Sequence, residues 1–386
     1  MASIQEKKHG FDLIIPRQNT NSDKWSRYQS DIIPLWVADM DFASPIAIKN
    51  AISDRLEHGI FGYTSASSEL SNSIQKHLEK NYNWVIHDQA LVYLPGLVCA
   101  LHSCVRSFSN KGDSIVVPGP VYYHLTKAAE FSNREVAHVS MVTDSTQRWI
   151  PNFDELSEAC SKENAKMLLL CNPHNPGGTV YTVEELNRIH QIAQANNLIV
   201  VSDEIHCDLI LDSVPHVPFA SLNDDAKNRT ITLMAPSKTF NIAGLGFAFA
   251  VIENPKIKAS FTKMNSGIIP SPNLLGLVAA QAAYEKGKQW HSELIKYLRG
   301  NRHFIRSKLQ HTPIKFYSLE ATYLEWLDVS ALKLENPHSF FLDAGVGMSN
   351  GKDFGNPQFL RLNFGCPRSI LEEALNKIII AIERLP

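Results

Sequence analysis

The runs KMLLLC at residues 166–171 and LIVVS at 198–202 are almost continuously apolar, and TITLM at 230–234 is a further strand-like run. A strand with one wet face alternates apolar and polar side chains, so a run without alternation needs cover on both faces. Helical stretches at 97–108, 122–131 and 183–195 alternate with strand-like runs along the chain and supply that cover. Further strands are expected at 91–94, 114–117, 135–139 and 246–252, with helices from about 67 to 82 and near 153. Alternation of this kind specifies an α/β domain around a largely parallel sheet.

The chain has 386 residues, more than one small core accommodates. After an apolar helix near 272–284 the character changes. A more polar helix at 290–309, strands near 323–327 and 359–363, and a last helix at about 369–384 read as a smaller α+β domain. The expected division is an N-terminal segment, 1–45, that joins the small domain, a large domain over 46–286, and the small domain over 287–386. Ser44-Pro45 reads as an N-cap with a proline at the first helical position, and Gly59 as the end of that helix. Ligands are expected in the cleft between the domains.

Thirty-seven basic and 39 acidic residues leave a net charge of −2, without the bias that draws a protein to nucleic acid or an anionic membrane. The start, MASIQEKKHGFDLII, lacks the apolar centre of a secretory signal, and no apolar run is long enough to span a bilayer. A cytoplasmic protein is expected. Six cysteines without a C-x-x-C pair fit neither a disulfide scaffold nor a structural zinc site. No metal is expected.

In sheets of this type ligands gather beyond the carboxyl ends of the strands, so the residues that follow each run are the informative ones. Residues 91–94 lead into Pro95-Gly96-Leu97-Val98, a glycine turn into a helix whose free amides suit a phosphate. Residues 114–117 lead into Pro118-Gly119-Pro120-Val121-Tyr122-Tyr123, which offers an aromatic face. The run at 166–171 ends in Asn172-Pro173-His174-Asn175, the run at 198–202 in Asp203-Glu204-Ile205-His206, and the run at 230–234 in Ala235-Pro236-Ser237-Lys238. Taken singly, each is an ordinary turn. Together, an amide, an acid, an aromatic ring, a phosphate cradle and a lysine at one sheet edge match the needs of pyridoxal phosphate. A lysine shielded from water loses its proton more easily and becomes able to form a Schiff base. Asp39 and Asp41, in the apolar stretch IIPLWVADMDF, are either turn caps or site residues.

CNPHNPGG, SDEIHCDL, APSKTFNIAGL and RLNFGCPR, in this order, resemble the class I/II aminotransferase family of fold type I pyridoxal-phosphate enzymes. IIPLWVADMDF, FGYT and SKTFNIAGL resemble its cystathionine β-lyase (C–S lyase, MalY/PatB-type) branch. The resemblance implies a mostly parallel seven-stranded sheet and pyridoxal 5'-phosphate bound through Lys238. It places Asp203 at the ring nitrogen, Asn175 at the phenolic oxygen and Tyr122 against the ring, and it gives Arg361 the substrate α-carboxylate. Tyr63 is to reach the cofactor phosphate of a neighbouring subunit, and hence a homodimer is implied. Gly246 and Ala235 stand where many relatives carry an arginine and a hydroxyl residue, so the phosphate is left to Gly96, Leu97, Val98, Ser237 and the neighbour's Tyr63. His206 replaces a tyrosine and is a donor to the cofactor oxygen. The expected activity is cleavage of cystathionine or related cysteine S-conjugates, small amino-acid substrates, to thiol, pyruvate and ammonia. An aminotransferase and a non-catalytic regulatory protein on the same fold are the alternatives.

Overall fold

The computed structural model describes residues 9–385. Residues 1–8, which hold the first half of the N-terminal stretch read above, lie outside it, as does Pro386. Two sheets carry the chain. The larger has eight strands in the spatial order Leu91–Leu94, Ala248–Val251, Thr230–Met234, Ile199–Asp203, Ala165–Cys171, Ser114–Gly119, Glu135–Thr143, Trp149–Pro151. Only Ala248–Val251 and Trp149–Pro151 run against the common direction. The expected seven strands are thus corrected to eight. The added one is a short antiparallel partner of Glu135–Thr143, the outermost parallel strand, and closes its free edge.

The apolar runs are double-sided, as their lack of alternation demands. In Ala165–Cys171, Met167, Leu169 and Cys171 enter one core, while Leu168 and Leu170 enter the core on the opposite face. Helix Leu97–Phe108 packs on the first face; helices Phe153–Cys160 and Val183–Ala195 pack on the second. The start of Val183–Ala195 is fixed by a capping box, in which Thr182 Oγ1 accepts from the Glu185 N–H and the Glu185 carboxylate accepts from the Thr182 N–H. Each such cap contributes about 1 kcal/mol.

The smaller sheet has four strands in the order Ile33–Leu35, Val346–Asn350, Phe359–Asn363, Leu324–Asp328. Its first strand comes from the N-terminal segment and pairs parallel to Val346–Asn350. Leu35, Met348, Leu360, Leu362 and Leu324 share one core with helices Lys288–Leu309 and Arg368–Glu383. Among the described residues no helix is long and apolar enough to cross a membrane.

Two local readings are corrected. Helix Ile46–His58 begins one residue later than expected: Pro45 is its N-cap, and Ser44 Oγ instead donates to the Asn241 carbonyl at 3.0 Å. Its end is as expected, with Gly59 at φ 75° in the left-handed region. Helix Pro255–Asn265, capped by Asn254, stands where no element was expected.

Candidate active site

Register sets the site. Cys171 pairs with Asp203 and Asp203 with Leu233, so the central strands end level and release their loops at one height. The loops are then tied together, because the Asn172 N–H donates to the Asp203 carbonyl at 3.0 Å and the Tyr122 N–H to the Asn175 carbonyl at 2.9 Å. A cavity of about 800 Å³ opens beyond these strand ends. Gly96, Leu97, Val98, Tyr122, Asn175, Asp203, His206, Ser237, Lys238 and Arg361, ten of the eleven residues expected at the site, line it. The eleventh, Tyr63, does not line it; Tyr63 is 112% exposed, on a segment where Ile60 and Phe61 are exposed as well.

Lys238 Nζ donates to the Ala38 carbonyl at 2.7 Å, and that carbonyl also accepts from Tyr323 Oη at 3.0 Å. Burial pulls the lysine down to about 8; Asp39 opposes this, Arg361 adds to it, and Asp203 opposes it. A neutral, nucleophilic amine is therefore accessible near physiological pH. Asp203 is buried, and among the described residues its carboxyl accepts only a 3.3 Å bond from the Ile205 N–H. Burial raises its carboxyl to about 7, the Ile205 N–H opposes that rise, Glu204 adds to it and Lys238 opposes it. A buried acid in this condition calls for a cationic partner.

Arg361 is buried and spans the two sheets. Nη1 donates to Asn175 Oδ1 at 2.9 Å, and Nη2 donates to the Trp36 carbonyl at 3.0 Å and to Ser349 Oγ at 3.2 Å. Burial brings the guanidinium down to about 10, which leaves it charged at neutral pH. Burial takes His206 down to about 3, helped by Lys238 and Arg361, so its ring is neutral.

The N-terminal segment contributes what residue types alone do not reveal. Trp36, Val37, Ala38 and Asp39 present backbone carbonyls: those of Trp36 and Ala38 take Arg361 and Lys238, and those of Val37 and Asp39 take Asn363 Nδ2 at 2.5 and 2.7 Å. Arg361 and Asn363 are two positions apart on one strand, hence on one face. Beneath these carbonyls, Arg17 bonds Asp39 at 2.8 Å and Asp41 at 2.6 Å, while Lys24, 0% exposed, bonds Asp41 at 2.7 Å. Burial works against ionised Asp41, but Lys24 foremost, with Trp25 and Arg17, keeps its carboxyl below the ordinary range. Asp41 is thus in an ion cluster and does not line the cavity, nor does Asp39. Asn241 locks the same segment to the lysine loop, accepting from the Met40 N–H at 3.0 Å and donating to the Met40 and Phe42 carbonyls at 2.8 Å. Its φ of 56° is left-handed, a conformation that asparagine tolerates better than most residues.

The residues present fit a pyridine ring carrying a phosphate. A ring N–H supplies the partner that the Asp203 carboxyl lacks. His206 Nδ1 and Arg361 Nε are buried without partners among the described residues and are donors for oxygen atoms. At the head of helix Leu97–Phe108, where the first backbone N–H groups have no intrahelical acceptor, a methyl group added to Gly96 meets nothing within 4 Å, so the cradle is open. Of the departures noted in the sequence, Gly246 has a local cause. Gly246 lies at φ +60° against Asn273 and the Pro95 carbonyl and, like Ala235, does not line the cavity.

The family model for aminotransferase class I and II matches residues 30–378. The chain is 34% identical to cystathionine beta-lyase PatB of Bacillus subtilis (strain 168), across 96% of this chain and 99% of that one. The crystal structure of OvoB superimposes with a TM-score of 0.94 at 43% identity, covering 97% of this chain and 99% of that one. The PLP-bound C–S lyase of Staphylococcus hominis superimposes with a TM-score of 0.90 at 32% identity, covering 97% and 98%. With a match over nearly its whole length and the fold of pyridoxal-phosphate enzymes around its cavity, this chain belongs to the class I and II aminotransferase family.

Proposed function

We propose that this protein is a pyridoxal-phosphate-dependent carbon–sulfur β-lyase that cleaves cystathionine or related cysteine S-conjugates to a thiol, pyruvate and ammonia. The observation that carries the reading is the meeting of a lysine of lowered pKa, a buried acid short of a partner and a buried arginine at one cavity. Relatives named cystathionine beta-lyase or C–S lyase over nearly the whole chain support it.

When bound, pyridoxal phosphate supplies an electron sink for the charge left at Cα. The residues of the chain do the rest. Lys238 holds the cofactor and, once its amine is free, takes the Cα proton; the Cβ–S electron pair leaves with sulfur as a thiolate, and water converts the three-carbon remainder to pyruvate and ammonia. Arg361 binds the substrate α-carboxylate through paired N–H donors, which orients the Cα–H bond for that proton transfer. Asp203, ionised, would hold the protonated ring nitrogen, Asn175 and His206 would donate to the phenolic oxygen, and Tyr122 would stack on the ring. The amides of Gly96, Leu97 and Val98 hold the phosphate together with Ser237. Tyr63 reaches the phosphate of a second subunit in a homodimer, a role its complete exposure supports. We divide the chain into residues 1–45, 46–286 and 287–386, a reading supported by the pairing of Ile33–Leu35 with the smaller sheet. The six cysteines are unpaired, which suits a cytoplasmic enzyme.

Purified protein incubated with cystathionine is expected to release thiol and pyruvate in equal amounts, and a Lys238→Ala variant neither. Amino transfer to an added keto acid without thiol release means an aminotransferase; no turnover across several thioethers overturns the enzymatic reading.

A further inference from the structure

Four cationic side chains line the cavity, Arg27, Lys127, Lys238 and Arg361, against two acids, Asp203 and Asp353. Lys238 and Arg361 are committed to the chemistry and to the α-carboxylate. Arg27 and Lys127 remain. Both belong to the side of the cavity that meets solvent, since Arg27 is exposed and Lys127 half-buried, whereas Asp203 and Arg361 are buried.

Each of the two is pinned on an aromatic ring. The Arg27 guanidinium lies 4.2 Å from the centroid of Trp36, and Lys127 Nζ lies 4.6 Å from that of Tyr123. A cation over a ring face is held electrostatically and keeps its N–H donors available at the ring edge. Trp36 also receives Arg361 through its carbonyl, so the ring under Arg27 is part of the same rigid wall. Among the described residues neither Arg27 nor Lys127 has a carboxylate within 4.0 Å, although Asp353 lines the same cavity. Two ring-held cations that no described carboxylate neutralises, next to a site for an amino acid, are the complement of a second anionic group on the substrate.

We propose that Arg27 and Lys127 form a distal subsite that selects cysteine S-conjugates whose sulfur substituent ends in an anionic group, a carboxylate foremost. The proposal rests on the lyase reading for the orientation of the substrate, with the α-carboxylate at Arg361 and the sulfur arm directed to the rim.

The test uses the cofactor-loaded enzyme with two probes of similar length, S-(2-carboxyethyl)cysteine and S-propylcysteine. Wild type is expected to favour the carboxylated probe by about tenfold or more in kcat/KM, the yield of one charge-assisted contact. Arg27→Gln and Lys127→Gln are each expected to reduce that ratio at least about fivefold, through the KM of the carboxylated probe, and raised salt is expected to reduce it in wild type alone. A wild-type ratio near one, or a ratio unchanged in both variants, overturns the subsite. A loss of cofactor affinity in the variants in place of a change in ratio assigns the two cations to the cofactor phosphate and overturns it as well. Should neither probe yield pyruvate, the lyase reading fails on its own; the ratio of the two binding constants from calorimetry then decides the subsite by the same criteria.

Discussion

The cavity has two walls built on different principles. The large sheet delivers side chains: Asp203 is the last residue of a buried strand, and Asn175 and Lys238 stand shortly past the ends of two others. The N-terminal segment delivers backbone: Trp36 and Ala38 face the same cavity and bind Arg361 and Lys238 through carbonyl oxygens. On the first wall the chemistry is in the residue type, and the fold needs only to bring strand ends level. On the second wall every residue has the needed atom, so position is everything, and position is secured by the ion cluster of buried Lys24 and Asp41 with half-buried Arg17 and Asp39. Charges off the cavity are therefore expected to matter through placement, and charges in it through chemistry.

Removing the reactive group of the first wall is the strongest way to separate the two. Lys238→Ala is expected to lower turnover on the order of 10⁴-fold with little change in melting temperature, since the side chain's hydrogen bond is to a single carbonyl. Asp41→Asn acts on the second wall in the opposite manner. It strips a charge from a buried network and is expected to cost about 3–5 kcal/mol of stability, read by denaturant unfolding. The pH dependence has a definite sign. Asp41 is held below its ordinary pKa, so its contribution is complete above about pH 4 and drains as pH falls through the folded value. The gap between wild type and variant should therefore narrow at acid pH; a gap that widens there contradicts the ion cluster.

Arg361→Gln tests the residue that touches both walls. It is expected to raise the substrate KM by about 10- to 100-fold, the loss of charge-assisted hydrogen bonds. A fall in kcat alone would mean that the arginine serves only to hold Asn175 and the Trp36 carbonyl. The smallest effect is expected from Tyr63→Phe, about tenfold weaker cofactor binding from one hydroxyl, measured by equilibrium dialysis. Unchanged affinity removes Tyr63 from the phosphate and with it the need for a second subunit there.

The contrast also explains what was legible in the sequence. Asn175, Asp203 and Lys238 are polar punctuation at the ends of apolar runs, and such runs show themselves by their lack of alternation. Arg361 was visible only through RLNFGCPR, because it sits mid-strand in Phe359–Asn363, where nothing local separates it from a structural arginine. Ile33–Leu35 and Trp149–Pro151 are three residues each, too short for a period to register, and the first pairs with a strand some 300 positions away. Pro255–Asn265 carried a usable signal, an asparagine cap before a proline at the first helical position. Ser44 carried the same kind of signal and is no cap, because its hydroxyl is engaged by the Asn241 carbonyl. Of Asp39 and Asp41 the sequence shows two acids in an apolar stretch; their partners Arg17 and Lys24 lie some 15–25 positions upstream, and spacing alone does not couple them.

The central claim, that Lys238 is the amine to which pyridoxal phosphate attaches, is open to one direct measurement. Protein freed of cofactor is mixed with pyridoxal phosphate across a pH series, the linkage is fixed by borohydride, and labelled peptides are mapped by mass. Label confined to the peptide containing Lys238, with an initial rate that climbs as pH rises and levels off near the amine's value of about 8, is expected. Label on another lysine, or a rate still climbing toward the ordinary lysine value of about 10.4, contradicts it.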